Sequence, residues 1–372
     1  MRGLGLSEQF YRQVVSSLIA RRLPQLQDRY AAGLIGYGSD VLGYDDEISR
    51  DHEWGPRGHI WLNTADYSRY ARRLDRIFHE ELPLEFLGFK TRFVVDQGLK
   101  ALVPAPDGQT GTHHHLAITT VPRYLRIQYG LRRLPPTLFD WICLPEQKLL
   151  ELTRGKVFYD PVGDISRVRQ AFAYLPDDVW RFKLQYAWEA VDSVDVVLLN
   201  AVRGDTLSAR INLNRLAEGI VRIVFLLNRR YCPGSRKWVS REFDTLPRLA
   251  GEIGPRLEEC LVMADMRAAC SVVGELLRTL VDEQNRLGVT VPVTLEAPDY
   301  RQEHQSFALW KVIRALGESL PPELQELEIH GGADQWVTNA DVLIWAEQYG
   351  KLKSVYGRKG RTKRDGVGDR II

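Results

Sequence analysis

The sequence of 372 residues has few of the features that mark secreted, membrane or redox proteins. It contains only four cysteines, with no CxxC spacing, so we expect reduced thiols rather than a disulfide framework. No apolar run approaches the roughly 20 residues that a membrane-spanning helix needs. The N-terminal stretch MRGLGLSEQFYRQVV carries polar side chains where a signal peptide would be apolar. The sequence therefore predicts a cytoplasmic protein with no membrane partner.

Charge of one sign is also lacking in the chain as a whole. Lys and Arg number 50 against 48 Asp and Glu, a formal net charge of +2. This balance argues against a protein dedicated to nucleic acid. A local exception is the basic run KLKSVYGRKGRTKRD at 351–365. Such a tail is more often a solvated terminus than a binding arm, so nucleic acid is not an expected partner apart from a role of this tail.

Apolar periodicity changes along the chain. A helix is predicted over 7–22, with Ser7 as its cap, and short strands such as GHIWL, TRFVV, HLAITTV and KVFYD then alternate with helices. Glycine motifs of a Rossmann domain are missing. From 164 onward, long segments show three- and four-residue apolar spacing, which predicts an antiparallel helical bundle. The predicted regions are an N-terminal helix packed on the first domain (1–33), a strand-and-helix domain (34–163), the bundle (164–290), a C-terminal helical extension (291–350) and the basic tail (351–372).

One short segment, GYGSDVLGYDDEISRDHEWGPR at 36–57, concentrates acidic residues after a sharp turn. If 51–53 are extended, Asp51 and Glu53 project on one face, while His52 points away. Two carboxylates side by side repel unless a cation lies between them, and oxygen ligands alone favour Mg²⁺. The spacing therefore makes Asp51 and Glu53 candidate metal ligands.

The turn at the start of this segment suits an anion. Gly38 allows backbone amides to approach a phosphate closely, and Ser39 can donate a hydroxyl hydrogen bond to it. A phosphate site beside a metal-binding pair is the equipment for transferring a phosphoryl or nucleotidyl group.

The pattern of hydrophobic residue, Gly-Ser, a gap and Asp-x-Asp/Glu resembles the signature of the nucleotidyltransferase superfamily that includes DNA polymerase β and the aminoglycoside nucleotidyltransferases. Together with four further segments, it is similar to one bacterial family of nucleotidyltransferase-like proteins, DUF4037, from about residue 5 to 350. The further segments are LPEQKLLELTRGKVFYDPVGDISRVR, YLPDDVWRFKLQYAW, NRRYCPGSRKW and GGADQWVTNADVL.

The resemblance implies an α+β protein, in which a small mixed sheet carries the active site and a helical domain closes over the nucleotide. It implies that Asp51 and Glu53 hold one or two Mg²⁺ ions, and that Ser235 and Lys237 contact the triphosphate with Gly38. The expected reaction moves an NMP group from an NTP, with ATP favoured, to an acceptor hydroxyl. A small-molecule acceptor is favoured, with protein or RNA as alternatives.

A second hypothesis is a nucleotide-binding sensor or regulatory module that has lost turnover. Members of the superfamily usually carry a third carboxylate on a later strand, and here that strand offers Ala117 and Thr119. Asp96 is the nearest substitute, and we predict that it is the third catalytic acid. The histidine run 113–115 is predicted at the surface or a strand edge, with a substrate contact as the alternative.

Other residues of the motifs have less specific expectations. Arg57 could neutralise triphosphate charge or tie down a carboxylate. Trp180, Trp188 and Trp238 are predicted in the core. Ribonuclease activity, known for some bundles attached to this domain type, is excluded because no histidine occurs between 116 and 303. Four acids between the turn and the proposed metal pair are predicted to be solvated or to cap turns: Asp40, Asp45, Asp46 and Glu47.

Overall fold

The computed structural model describes residues 1–109, 111–234, 237–295 and 307–357. The chain divides into two compact units. Unit 1 comprises residues 1–135 and 147–173, and unit 2 comprises 136–146 and the chain from 174 onward. The chain therefore passes from unit 1 to unit 2 at 136, returns to unit 1 at 147 and enters unit 2 again at 174, so no single boundary near 163 separates the units.

Eight strands and nineteen α-helices are formed within the described residues. The strands are β1 (Tyr30–Leu34), β2 (Gly58–Leu62), β3 (Glu85–Phe86), β4 (Phe89–Lys90), β5 (Phe93–Asp96), β6 (Ala101–Pro104), β7 (Leu116–Thr119) and β8 (Lys156–Tyr159). The helices are α1 (Gly3–Phe10), α2 (Ser16–Arg22), α3 (Ser39–Leu42), α4 (Thr64–Glu81), α5 (Val121–Tyr129), α6 (Leu138–Cys143), α7 (Glu146–Thr153), α8 (Asp164–Ala171), α9 (Asp177–Ala190), α10 (Val194–Val202), α11 (Thr206–Leu227), α12 (Val239–Phe243), α13 (Ala250–Val262), α14 (Met266–Arg286), α15 (Trp310–Glu318), α16 (Pro322–Gln325), α17 (Ala333–Trp336), α18 (Ala340–Ile344) and α19 (Ala346–Tyr349).

A four-stranded mixed sheet organises unit 1, in the order β7-β2-β1-β8. Strand β2 is parallel to β7 and antiparallel to β1, which in turn is antiparallel to β8. Two short hairpins, β3-β4 and β5-β6, lie outside this sheet. The strands predicted from GHIWL, HLAITTV and KVFYD are confirmed, and a small mixed sheet with helices confirms the α+β fold class.

Alternation along the strands separates the two faces of the sheet. On β2, Ile60 and Leu62 belong to a buried apolar cluster that also contains Leu6 and Phe10 of α1 and Leu74 of α4. His59 and Trp61 point to the opposite face, because successive side chains of a strand alternate. That opposite face borders the candidate site.

The N-terminal helix starts earlier than predicted. Helix α1 begins at Gly3, with Arg2 in the capping position, so Ser7 is an interior residue and the prediction that it caps the helix is wrong. The Ser7 hydroxyl instead donates to the Gly55 carbonyl at 3.2 Å and accepts from the Arg57 amide at 3.3 Å. Ser7 therefore stabilises the segment that leads into β2 instead of capping the helix.

The regular elements of unit 2 are helices, and its described residues contain no strand. Helices α9, α10, α11 and α14 pack together, and Trp188 is completely buried among them, with its indole N–H donating to Gln284 at 2.8 Å. Trp180 is also buried, so both core predictions are confirmed, whereas Trp238 is only half-buried and packs against Arg241. All four cysteines are free and buried. In the part of the chain that the structure describes, no helix is long and apolar enough to cross a membrane.

Candidate functional site

The Gly-Ser turn follows the last residues of β1. Gly36 and Gly38 both have positive φ, +97° and +135°, which side chains other than glycine rarely adopt. The Gly36 amide donates to the Glu151 carbonyl at 2.9 Å, and α3 begins directly after Gly38. A Cβ added at Gly38 would overlap the Arg57 guanidinium and the Asp40 carboxylate. Glycine is required here because another part of the chain lies against the turn.

Arg57 and Asp40 form a buried ion pair at this turn. Arg57 Nε and Nη2 donate to the two carboxylate oxygens of Asp40 at 2.9 and 2.5 Å, and Nη2 also donates to the Tyr37 carbonyl at 2.8 Å. Burial alone would lower the pKa of Arg57, but the Asp40 carboxylate outweighs it and raises the pKa, so the guanidinium stays charged. Of the two roles predicted for Arg57, the structure shows the one in which it pairs with a carboxylate, that of Asp40.

The acidic residues after the turn differ in environment from the solvated loop that was predicted. Asp40 is 1% exposed and Asp45 is 9% exposed, so the prediction is wrong for both. Asp45 Oδ2 accepts from the Gly3 amide at 2.8 Å and from the Trp54 indole at 3.0 Å. Asp46 does cap a turn, accepting from the Ser49 amide at 3.0 Å, and Glu47 is exposed. Two of the four carboxylates, those of Asp40 and Asp45, are therefore buried and hydrogen-bonded within the protein.

The segment 51–53 is not extended. Asp51 has helical backbone angles after a 3-10 turn at 48–50, and Glu53 has φ +50°. The predicted strand alternation of Asp51 and Glu53 is therefore wrong. Two contacts from distant positions fix this conformation: the Glu53 amide donates to the Leu102 carbonyl at 2.8 Å, and the Leu102 amide donates to Glu53 Oε1 at 2.9 Å.

Glu53 also contacts His115, which immediately precedes β7. His115 Nε2 lies 2.8 Å from Glu53 Oε2, and its ring packs edge-on against Phe93. Burial alone would raise the pKa of Glu53, but hydrogen bonds from His115 and the Leu102 amide, with the charge of Arg57, lower it to about 2. Burial lowers the pKa of His115. At neutral pH, Glu53 is therefore ionised and accepts a hydrogen bond from Nε2–H of a neutral His115.

Asp51 lies at the surface of the same segment. Its side chain is 58% exposed, and Oδ1 is 2.9 Å from His52 Nδ1, a contact that lowers the pKa of Asp51. Within the described ranges, no three histidine, cysteine or acidic side chains are gathered as ligands of one metal ion. The donor chemistry of Asp51 and Glu53 nevertheless suits Mg²⁺, because both offer carboxylate oxygens and Glu53 is held ionised.

Asp96 ends β5, in the hairpin whose other strand carries Leu102. Asp96 pairs with Ala101, the neighbour of Leu102, so it belongs to the element that contacts Glu53. Its Oδ1 accepts from the Gly98 and Leu99 amides at 2.9 and 2.8 Å. The carboxylate thus stabilises its own turn, and a role as third catalytic acid stays a prediction.

Aromatic rings that sequence reasoning did not single out line the sheet beside Arg57. His59 stacks on Trp61 with centroids 5.0 Å apart, and Tyr124 packs edge-on against both rings. His59 Nδ1 and Trp61 Nε1 are buried without a hydrogen-bond partner among the described residues. Burial lowers the pKa of His59 to about 3, so this imidazole is neutral. The alternation of β2 was the signal that could have placed these rings together.

Unit 2 contains the residues expected on the triphosphate. Lys237 is exposed, and Ser235 lies outside the described residues. The arginines of the same segment are not all available to an anion, since Arg229 donates to Asp177 at 2.6 Å and lies 3.7 Å from the ring centroid of Trp180. A contact of Lys237 with nucleotide stays a prediction.

A buried charged cluster in unit 2 was missed from the sequence. Lys183, completely buried, places Nζ 2.8 Å from both Glu146 and Asp334. Glu146 Oε2 accepts from the Cys232 amide at 2.8 Å, and the Arg222 guanidinium donates to the Asp334 carbonyl at 3.1 Å. Burial would lower the pKa of Lys183, but the two carboxylates outweigh it and raise the pKa.

Residues 141–239 match DUF4037, a domain of unknown function. For this segment, the match confirms the resemblance to DUF4037 that the sequence motifs indicated. The DUF4037 segment contains Glu146, Lys183 and Cys232, and Asp334 comes from the later motif GGADQW. Four motifs that carry the resemblance therefore each supply one residue to the buried cluster.

The chain is also similar to a solved structure, a nucleotidyltransferase-like protein from Exiguobacterium sibiricum 255-15. The two share 10% sequence identity over 84% of this chain and 88% of the other, with a TM-score of 0.33. No curated protein matches the sequence.

Proposed function

We propose that this protein is an Mg²⁺-dependent nucleotidyltransferase that moves an NMP group from an NTP, with ATP as the favoured donor, to an acceptor hydroxyl on a small molecule. Gly38 and Ser39 bind the phosphates, and Asp51 and Glu53 hold the metal. Lys237 and Ser235 contribute to the triphosphate site. Bound Mg²⁺ would supply positive charge to the phosphates during transfer.

One observation carries the proposal: Arg57 links the two halves of the motif. Its guanidinium donates to the Tyr37 carbonyl inside the Gly-Ser turn, and its charge acts on Glu53 at the other end of the segment. The turn and the acidic segment, separated along the chain, therefore belong to one electrostatic environment. This arrangement supports a common site for phosphate and metal.

The protein groups divide the work by charge. Ser39 is half-buried at the start of α3, where its hydroxyl can donate to a phosphate oxygen. Glu53 is ionised over the whole physiological range because its pKa is about 2, so it needs no proton release before it binds a cation. Arg57 is paired with Asp40, so it positions the turn rather than binding phosphate directly.

A second candidate is a nucleotide-binding module without turnover. Two observations favour it, and both concern the third catalytic carboxylate that members of the superfamily usually carry. Strand β7 carries Ala117 and Thr119, and Asp96 uses its carboxylate to accept two backbone amides of its own turn. A weakly positioned base would slow proton removal from the acceptor hydroxyl without preventing nucleotide binding.

Radiolabel transfer distinguishes the two candidates. Purified protein is incubated with each NTP, labelled at the α-phosphate, with Mg²⁺ and a fractionated cell extract. We expect label on a low-molecular-mass acceptor, lost with EDTA and in Glu53→Gln, but kept in Glu47→Gln, an exposed control in the same segment. Binding of NTP without transfer would favour the module, and absence of both would overturn the proposal.

A further inference from the structure

Helix α4 carries a set of arginines on one face. Arg69, Arg72, Arg73 and Arg76 are all exposed. At 3.6 residues per turn, their spacing places them within an arc of about 100°. The face is about 10 Å long, since each helical residue rises about 1.5 Å. We call these four residues the arginine face.

The acidic residues of α4 do not neutralise this face. Asp66 is buried and accepts from Arg29 at 2.9 Å, Asp75 lies 3.2 Å from His114 Nε2, and Glu81 pairs with Arg22 at 2.7 Å. The fourth acidic residue, Glu80, is exposed within the same arc, one turn beyond Arg76. In the described part of the chain, no carboxylate lies within ion-pair distance of any residue of the arginine face. Four arginines against one carboxylate leave this arc with net positive charge, although the whole chain is nearly neutral.

The flanks of the arginine face combine cations with aromatic rings. The Arg69 guanidinium lies 5.2 Å from the ring centroid of Tyr70, and Arg123 of α5 lies 6.0 Å from that of Tyr67. Guanidinium groups bind phosphate oxygens in a bidentate manner and stack on planar rings. A phosphodiester chain with planar bases offers both kinds of partner.

The same face does not suit insertion into a membrane. The large apolar side chains of α4, Leu74, Ile77 and Phe78, are buried in the apolar core of unit 1. A helix that binds at a lipid surface needs an apolar face turned to the acyl chains. A length of about 10 Å instead matches the rise of about three phosphates along one duplex strand.

We propose that the arginine face of α4 binds the phosphate backbone of a nucleic acid. The inference does not depend on the nucleotidyltransferase proposal, because it uses none of the residues assigned to NTP or metal. Helix α4 itself is connected to that site, because Asp75 contacts His114, the neighbour of His115, which contacts Glu53.

Fluorescence anisotropy of the full-length protein tests the proposal, with labelled oligonucleotides of about 20 nucleotides titrated between about 50 and 200 mM salt. RNA and DNA are compared as single and double strands. The test variant is Arg72→Gln/Arg73→Gln/Arg76→Gln. A matched control, Arg203→Gln/Arg215→Gln/Arg267→Gln, removes the same charge from exposed positions of unit 2.

We expect the test variant to bind at least one of these oligonucleotides about tenfold or more weakly than the unmutated protein. The slope of log K against log salt should flatten by about 2, because each lost phosphate contact removes about 0.7 to 0.9. The control should keep both values, and the corresponding triple lysine variant should recover most of the affinity. Circular dichroism verifies that all variants are folded.

Three results would overturn the proposal. The first is unchanged binding in the test variant, and the second is an equal loss in the control, which would indicate net charge alone. The third is binding of anionic phosphatidylserine vesicles through the arginine face with no binding of any oligonucleotide, which would assign the face to a membrane surface.

Discussion

Asp40 and Arg57 form a buried ion pair beside the Gly-Ser turn, and this pair can be tested by a single substitution. Asp40→Asn leaves the Arg57 guanidinium buried without a counter-charge, so we expect the free energy of unfolding to fall by about 3 kcal/mol. Denaturation in urea measures the change. Glu47→Gln is the control, since Glu47 is exposed in the same segment and its loss should leave the midpoint unchanged. An equal effect in both variants would contradict the role assigned to Asp40.

His59 makes the stability depend on pH. Its pKa is lowered to about 3 in the folded state, whereas an unfolded histidine titrates near 6.5. Between these values the unfolded chain binds a proton that the folded chain does not, so stability falls as pH decreases from about 6.5 toward 3. From pH 7 to pH 4, we expect His59 to contribute a loss of about 3 kcal/mol.

The comparison that isolates this contribution is His59→Phe, which keeps a planar ring against Trp61 and removes the titrating group. Urea denaturation at several pH values should give a shallower decline in the variant than in the unmutated protein. Parallel curves would show that His59 is not the group that titrates.

At the same scale, burial was the property that the sequence predicted least well. Asp40 and Asp45 are of a residue type common in solvated loops, but both are buried. Their partners, Arg57, Gly3 and Trp54, come from other positions in the chain. His115 was expected at a strand edge, and its contact with Glu53 spans 62 positions. Such pairings depend on tertiary packing, which a single sequence does not encode locally.

Among the elements, the Gly-Ser turn offers the sharpest test. Gly38→Ala would place a Cβ at φ +135° against Arg57 and Asp40, so both backbone strain and overlap oppose it. We expect a loss of about 2 to 4 kcal/mol in the free energy of unfolding. Gly5→Ala is the matched control, because Gly5 lies inside α1 with open space around it and should gain up to about 1 kcal/mol. A neutral Gly38→Ala would contradict the turn geometry.

Elements with strong periodicity were predicted correctly, and an irregular one was not. Strands β2, β7 and β8 show β-branched and aromatic alternation, which indicated them from the sequence. The segment 51–53 was predicted as extended because Asp-x-Glu alternates. Its actual conformation includes φ +50° at Glu53, held by Leu102 and His115. Contacts with distant residues override a three-residue pattern.

On the scale of the whole molecule, Lys183 joins segments far apart in the chain. Lys183→Met would leave Glu146 and Asp334 buried without their shared cation, so we expect unit 2 to lose about 3 to 5 kcal/mol of stability. Guanidinium denaturation measures this. Lys351→Met, an exposed control in the same unit, should be neutral. A neutral Lys183→Met would indicate that the cluster contributes little to folding.

The sequence motifs predicted the resemblance to a family better than they predicted which residues meet in the folded chain. The motifs indicated a resemblance to DUF4037, and the match confirms it over residues 141–239. They did not indicate that residues from four motifs meet at Lys183, because that meeting depends on how α9 packs against later segments. A joint site for Gly38 and Lys237 stays a prediction for the same reason.

We propose that the Gly-Ser turn and the acidic segment form one Mg²⁺–NTP site. Isothermal titration calorimetry with Mg²⁺ and ATP tests it on the unmutated protein, Asp51→Asn, Glu53→Gln and the control Glu47→Gln. We predict that the affinity falls by about a hundredfold or more in Asp51→Asn and in Glu53→Gln, and is unchanged in Glu47→Gln. Equal affinity in all four proteins, each shown to be folded, would rule out a joint Mg²⁺–NTP site at these residues.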